Sequence, residues 1–196
     1  MAKSKQTRAL RSPRPQSRSK KSIMYPLDAA YEQAGLPVPK AKEVSPREIP
    51  FPYRSLLVHE NDMTLTLERH FGGRVVLRTL STVLNKNWYM RRVLLVQDYT
   101  GRPVEMGAIR LRLEAFTTRV RTQIERNEIP LGRVLRDSDV DFKSQPRAFL
   151  SLEPNSEMMG VFWMREPRVL YGRRTEVVRN GSKIGDIVEV LPLVIR

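Results

Sequence analysis

VEMGAIRLRLEAF, residues 104–116, sets Ile109, Leu111 and Leu113 in alternation with Arg110, Arg112 and Glu114. Side chains two apart share one face of a strand, so the pattern predicts a half-buried strand with one wet face. Ahead of it, Tyr99-Thr100-Gly101-Arg102 reads as a hairpin turn. The turn connects back to NWYMRRVLLVQD (87–98), and before that RVVLRTLSTVL (74–84) is rich in β-branched residues; both are predicted strands. Downstream, GVFWM (160–164) and RVLYGRRTEVV (168–178) are strand-like, Asn180-Gly181 is a two-residue hairpin signal, and IGDIVEVLPLVI closes the chain. Helical spacing runs through SLLVHENDMTLTLERHFGG (55–73), where Leu56, Leu57, Met63 and Leu67 recur on one side until Gly72 and Gly73 stop it. A shorter helical stretch falls within 117–136. The expected fold is α+β: a single domain with an antiparallel sheet of about six strands and a few packed helices.

The N-terminal third reads differently. Residues 1–22 carry eight cations and no acid, with almost no apolar residues. Such a segment cannot bury a core, and a disordered basic tail is expected. Subtracting its eight charges from the formal +14 leaves only +6 on residues 23–196. The basic balance therefore points to weak attraction of the tail to nucleic acid, with organelle targeting a lesser reading, and not to a nucleic-acid-binding domain. Five prolines between Gly35 and Tyr53 oppose both helix and central strand. Residues 23–53 are expected to be an arm or linker, and the domain to span 54–196.

Composition excludes several chemistries. The chain of 196 residues contains no cysteine, so thiolate nucleophiles, disulfides and cysteine-based zinc sites are absent. His59 and His70 alone make a weak metal case, and no metal site is expected. No apolar run approaches the length of a membrane span, so a cytoplasmic protein is expected, as a monomer. Phosphate-binding loops, nucleophile elbows and zinc-protease motifs are also missing.

What remains is charge set where a sheet core belongs. Glu189 lies between Ile187 and Leu191 on one parity and beside Val188 and Val190 on the other. It is either a partly buried carboxyl suited to proton transfer or an edge residue facing water. Arg91 and Arg92 precede an apolar run, so one of them should face inward, toward a ligand carboxylate or toward a protein acid such as Glu189. Tyr171-Gly172-Arg173-Arg174 offers a further cation, unless it is a solvated basic strand. Pro130 and Gly132 bracket Leu131 in a turn that is either a lid with free backbone N–H groups nearby or only a turn.

In order along the chain these segments resemble bacterial chorismate pyruvate-lyase, the 4-hydroxybenzoate synthase of ubiquinone biosynthesis. Leu-Leu-Val-His-Glu-Asn-Asp-Met-Thr (56–64) is similar to the family's early helix, whose ligand-lining methionine falls on Met63. Trp-Tyr-Met-Arg-Arg-Val-Leu-Leu (88–95) is similar to its arginine-bearing strand, which carries the ligand-binding arginine over to Arg91, with Arg92 where the family can have an acid. Pro-Leu-Gly-Arg-Val-Leu (130–135) is similar to its turn motif, which carries ligand contact over to Leu131, with Gly132 beside it. Tyr-Gly-Arg-Arg (171–174) and Val-Glu-Val-Leu-Pro (188–192) are similar to its final hairpin, whose ligand-binding glutamate is Glu189. The resemblance covers about residues 54–192; the tail and arm depart from it.

The resemblance implies a lyase that eliminates pyruvate from chorismate and releases an aromatic acid, with no metal or organic cofactor. In that reading Arg91 grips a carboxylate, Glu189 orients the ligand or moves a proton, and Met63 and Leu131 wall the ring. Arg174 is a candidate for the second carboxylate. The same fold also resembles the effector-binding domain of GntR-type transcription regulators, which implies a non-catalytic sensor of a small carboxylate as the alternative. A regulator's DNA-binding helices are not expected in residues 1–53, which are short and proline-rich.

Overall fold

The computed structural model describes residues 22–86 and 88–192. The basic-tail expectation lies almost wholly outside them. Six α-helices and seven strands are found among the described residues. In chain order they are α1 (Leu27–Gln33), β1 (Lys40–Val44), α2 (Tyr53–Leu57), α3 (Met63–Phe71), β2 (Val75–Leu84), β3 (Tyr89–Gln97), β4 (Pro103–Leu111), α4 (Thr118–Arg126), α5 (Leu131–Asp137), β5 (Lys143–Glu153), α6 (Ser156–Val161), β6 (Leu170–Arg179) and β7 (Ser182–Leu191). All neighbours pair antiparallel in one sheet of order β1-β5-β6-β7-β4-β3-β2.

Both faces of the sheet are covered. One carries Leu94, Val96, Met106, Ala108, Val188 and Val190, packed with Leu27 and Tyr31 of α1 and Met158 of α6. The other lies beneath two apolar clusters, one built around α4 and α5 and one around α2 and α3. Central strands must therefore be buried on both sides, and the wet face expected for residues 104–116 does not exist. Seven of the nine residues of β4 are apolar or glycine, and Arg110 stacks its guanidinium on Trp88, 3.4 Å from the ring centre. Arg112 and Glu114 fall beyond the strand.

The arm expected over 23–53 is corrected. Met24, Leu27, Ala30, Tyr31 and Ile49 are buried, and β1 pairs with β5 from Lys40↔Glu153 to Val44↔Phe149. The prolines fit because of where they sit. Pro37 and Pro39 precede an edge strand, Pro46 opens a short 3₁₀ turn, and Pro26 and Pro52 are N-caps. The single helix expected over 55–73 is two, because Asp62 caps α3 by accepting the Thr64 N–H at 2.9 Å. GVFWM is not a strand: Gly160 and Val161 end α6, whose N-cap Asn155 accepts the Met158 N–H. The inner strand β5 escapes a pattern reading because Pro146, which has no N–H to give, sits at a register shift before Ala148. The two hairpin turns stand as expected, with Gly101 at φ 67°, Asn180 at 49° and Gly181 at 71°.

Candidate functional site

Strand register sets the chemistry of the face beneath α3 and α5. Arg91 of β3 is opposite Ile109 of β4, which is opposite Ile187 of β7. Two residues further, Val93, Gly107 and Glu189 form the next row, and Arg173 of β6 extends it. Alternation then places Arg91, Glu105, Arg173 and Glu189 on one face. A cavity of about 60 Å³ lies over this face, closed from above by the N-termini of α3 and α5. Met63, Arg91, Leu131, Gly132 and Glu189 all line it. Arg174 does not. As the neighbour of Arg173 it points to the opposite face, where it bonds Asp186 at 3.2 Å, so its expected part in the site is corrected.

Arg91 and Arg92 are both buried, on opposite faces, which a strand covered on one side alone would not allow. Arg92 is neutralised by Glu157 and stacks on Tyr31. Arg91 is 2% exposed and has no ion pair among the described residues. Its guanidinium makes two long hydrogen bonds, to Asn127 Oδ1 at 3.4 Å and Ile129 O at 3.3 Å, and its Nε has no partner among the described residues. Burial lowers its pKa, partly opposed by the nearby Tyr89 hydroxyl.

Glu189 is 5% exposed and sits in the middle of the sheet, not at an edge. Its partner is Arg173, whose Nε reaches Glu189 Oε2 at 2.5 Å. The salt bridge to Arg91 that the sequence left open is not formed. Arg173 also donates to the carbonyls of Leu57 at 3.2 Å, His59 at 2.8 Å and Asn61 at 3.4 Å. The pair thereby fastens the loop between α2 and α3 to the sheet. His59 stands beside this guanidinium, and burial together with Arg173 lowers its pKa.

Two features of the cavity were not read from the sequence. Glu105 of β4 lines it, buried; burial first and the Glu189 carboxylate second push its pKa well above the usual range, against the pull of Arg173. Its signal was an acid on an otherwise apolar strand, Val-Glu-Met-Gly-Ala-Ile. Asp62, the cap of α3, also faces the cavity and accepts from Arg136 at 2.8 Å. The α5 backbone approaches it so closely that a Cβ on Gly132 would fall 1.9 Å from Asp62 Oδ1. The Pro-Leu-Gly turn thus requires its glycine for contact with the neighbouring helix. Among the described residues no group of histidines and acids is arranged to hold a metal, and no helix is long and apolar enough to cross a membrane.

No protein-family model matches the sequence, and neither does any curated protein. Solved structures do resemble it in shape. Mycobacterium smegmatis PhnF matches at a TM-score of 0.48 and 11% identity, over 88% of this chain and 95% of that one. A ligand-binding domain assigned to a GntR-family transcriptional regulator of Bordetella bronchiseptica matches at 0.44 and 11%, over 61% and 86%. The C-terminal domain of the histidine utilization repressor of Pseudomonas syringae pv. tomato matches at 0.38 and 12%, over 61% and 92%. The likeness is one of architecture, and no ligand or activity follows from it.

Proposed function

We propose that the cavity under α3 and α5 binds a small ligand through one carboxylate, held by Arg91. The observation that carries this is a guanidinium 2% exposed with no acid among the described residues to neutralise it. A buried cation of this kind is costly unless an anion completes it. The planar fork suits a carboxylate, and the apolar walls given by Met63, Leu131 and Ile109 suit a flat hydrocarbon body. A cavity of about 60 Å³ is smaller than the roughly 150 Å³ void that takes up benzene, so entry of a ring requires α3 and α5 to yield. In this reading the domain is a sensor or carrier of a small carboxylate.

A second reading is chorismate pyruvate-lyase. It is favoured by the convergence of Met63, Arg91, Leu131 and Glu189, drawn from four separate segments, on one cavity. Elimination breaks the bond between the ring carbon and the ether oxygen, removes the ring proton beside the hydroxyl and aromatises the ring, and the enolpyruvate released takes up a proton at its methylene carbon to become pyruvate. The residues would hold the substrate, exclude water and accept the proton. Chorismate carries two carboxylates, however, and the other nearby cations are taken: Arg173 by Glu189 and Arg174 by Asp186 on the far face. One available cation among the described residues lining the cavity favours a monoanion and puts binding ahead of turnover.

Incubation of the purified protein with chorismate, with 4-hydroxybenzoate followed by chromatography, separates the readings when run beside calorimetry with 4-hydroxybenzoate. Saturable binding without turnover supports the carboxylate-binding domain. Turnover that disappears in Arg91→Met supports the lyase. Neither binding nor turnover at millimolar ligand rejects both.

A further inference from the structure

Glu105 has no part in either reading so far, yet it is a buried acid on the cavity wall. Its Oε2 is buried and has no hydrogen-bond partner among the described residues. Its other oxygen lies over Gly107, where a Cβ would be only 2.8 Å from Oε1. A side chain at 107 would therefore force the carboxyl out of its place. Gly107 is directly opposite Glu189 in the sheet, so two carboxyl groups adjoin there. Arg173 neutralises one of them, Glu189, through its Nε. No second cation among the described residues bonds Glu105, and burial, with the Glu189 carboxylate beside it, favours the protonated form of Glu105.

We propose that Glu105 is a further ligand-binding residue that sets specificity, its free Oε2 meeting an uncharged hydroxyl or ether oxygen of the ligand at the end of the cavity remote from Arg91. The proposal rests on the reading of the cavity as a carboxylate site. Leu95, the register partner of Glu105, lies four residue steps along β3 from Arg91, about 13 Å along the strand. The cavity thus has a cationic end and an acidic end. A ligand's carboxylate belongs at the first, and a second carboxylate at the other end meets two acids and is rejected. A neutral oxygen there accepts the Glu105 proton, which satisfies a polar group that otherwise has no partner. The charged and titratable groups facing Glu105 are Glu189 from β7, Arg173 from β6 and Asp62 from the loop before α3, with Arg91 on β3 at the far end.

Calorimetric titration at neutral pH with 4-hydroxybenzoate, benzoate and terephthalate tests this on the full chain. The wild type should prefer 4-hydroxybenzoate to benzoate by about 5–100-fold, the range for leaving one buried polar group unpaired, and should bind terephthalate most weakly. In Glu105→Leu the ratio of the first two should fall to near one. Glu105→Gln, neutral and still a donor, should keep most of it. In the wild type, the infrared carbonyl band of a protonated carboxyl should shift with 4-hydroxybenzoate and not with benzoate; that reading needs no variant to fold. An unchanged ratio in Glu105→Leu, or an unshifted band, overturns the role of Glu105 while leaving the Arg91 site intact. Failure of all three acids to bind the wild type overturns the carboxylate site and this proposal together.

Discussion

Arg91 separates a functional cation from a structural one by the sign of its effect on stability. Consider Arg91→Met, which keeps an unbranched apolar stem and removes the guanidinium. Replacing buried charged groups with hydrophobic residues of similar volume stabilises proteins by about 1–4 kcal/mol when the charges cost more to bury than they return. Arg91 returns little: two hydrogen bonds of 3.3 and 3.4 Å and an Nε with no partner among the described residues. Losing those two contacts costs about 1 kcal/mol together, at the weak end for such bonds. The net expectation is a ligand-free protein more stable by about 0–3 kcal/mol. For a chain of 196 residues, at about 2–4 °C per kcal/mol, Tm should rise by about 0–12 °C. Differential scanning calorimetry without ligand reads this directly. A fall in stability of more than about 2 kcal/mol would show that Arg91 holds the fold together, and the argument from its unmet charge would collapse.

Other perturbations have opposite or distinct signatures. Arg173→Leu strands Glu189 in the sheet and frees the loop carbonyls of Leu57, His59 and Asn61; breaking such a buried pair costs about 3–5 kcal/mol, so Tm should drop by about 6–20 °C, and an unchanged Tm refutes the fastening role. Glu105 has a raised pKa in the fold, so its contribution is fully present below its unfolded value and is lost as pH rises through its folded one. Glu105→Gln should therefore gain on the wild type in urea midpoint as pH rises above about 4.3, and parallel curves for the two proteins contradict this. Gly132→Ala should destabilise by about 1–3 kcal/mol, because its methyl displaces Asp62 from the α3 cap and from Arg136; a neutral result means that α5 shifts freely.

Much of the fold was legible because its strands announce themselves locally. The Asn180-Gly181 turn and the β-branched run at 74–84 are short-range signals that fall on a hairpin and a strand of the sheet, and the alternation that begins at Ile109 and Leu111 falls on β4 although Leu113 lies past its end. Proline density over 23–53 points to an arm or linker, whereas Pro26 and Pro52 are caps, Pro46 opens a turn, and Pro37 and Pro39 approach an edge strand. The site was partly legible for a different reason. Met63, Arg91, Leu131 and Glu189 stood out by resemblance, and their meeting in one cavity depends on strand order, which no local pattern carries. Arg173 and Arg174 illustrate the limit. Adjacent in sequence and identical in type, they differ only in parity, and the register against β7 decides which one meets Glu189. Glu105 went unnoticed since its significance is relational: an acid matters there because Gly107 and Glu189 lie beside it.

The most direct test of the central claim is isothermal titration of 4-hydroxybenzoate into the wild type and into Arg91→Met at matched protein concentration. The wild type should show one saturable site, and the variant an affinity lower by about 2–5 kcal/mol, the range for truncating one side of a buried charge pair. Equal affinity in the two proteins, with both fully folded, contradicts it.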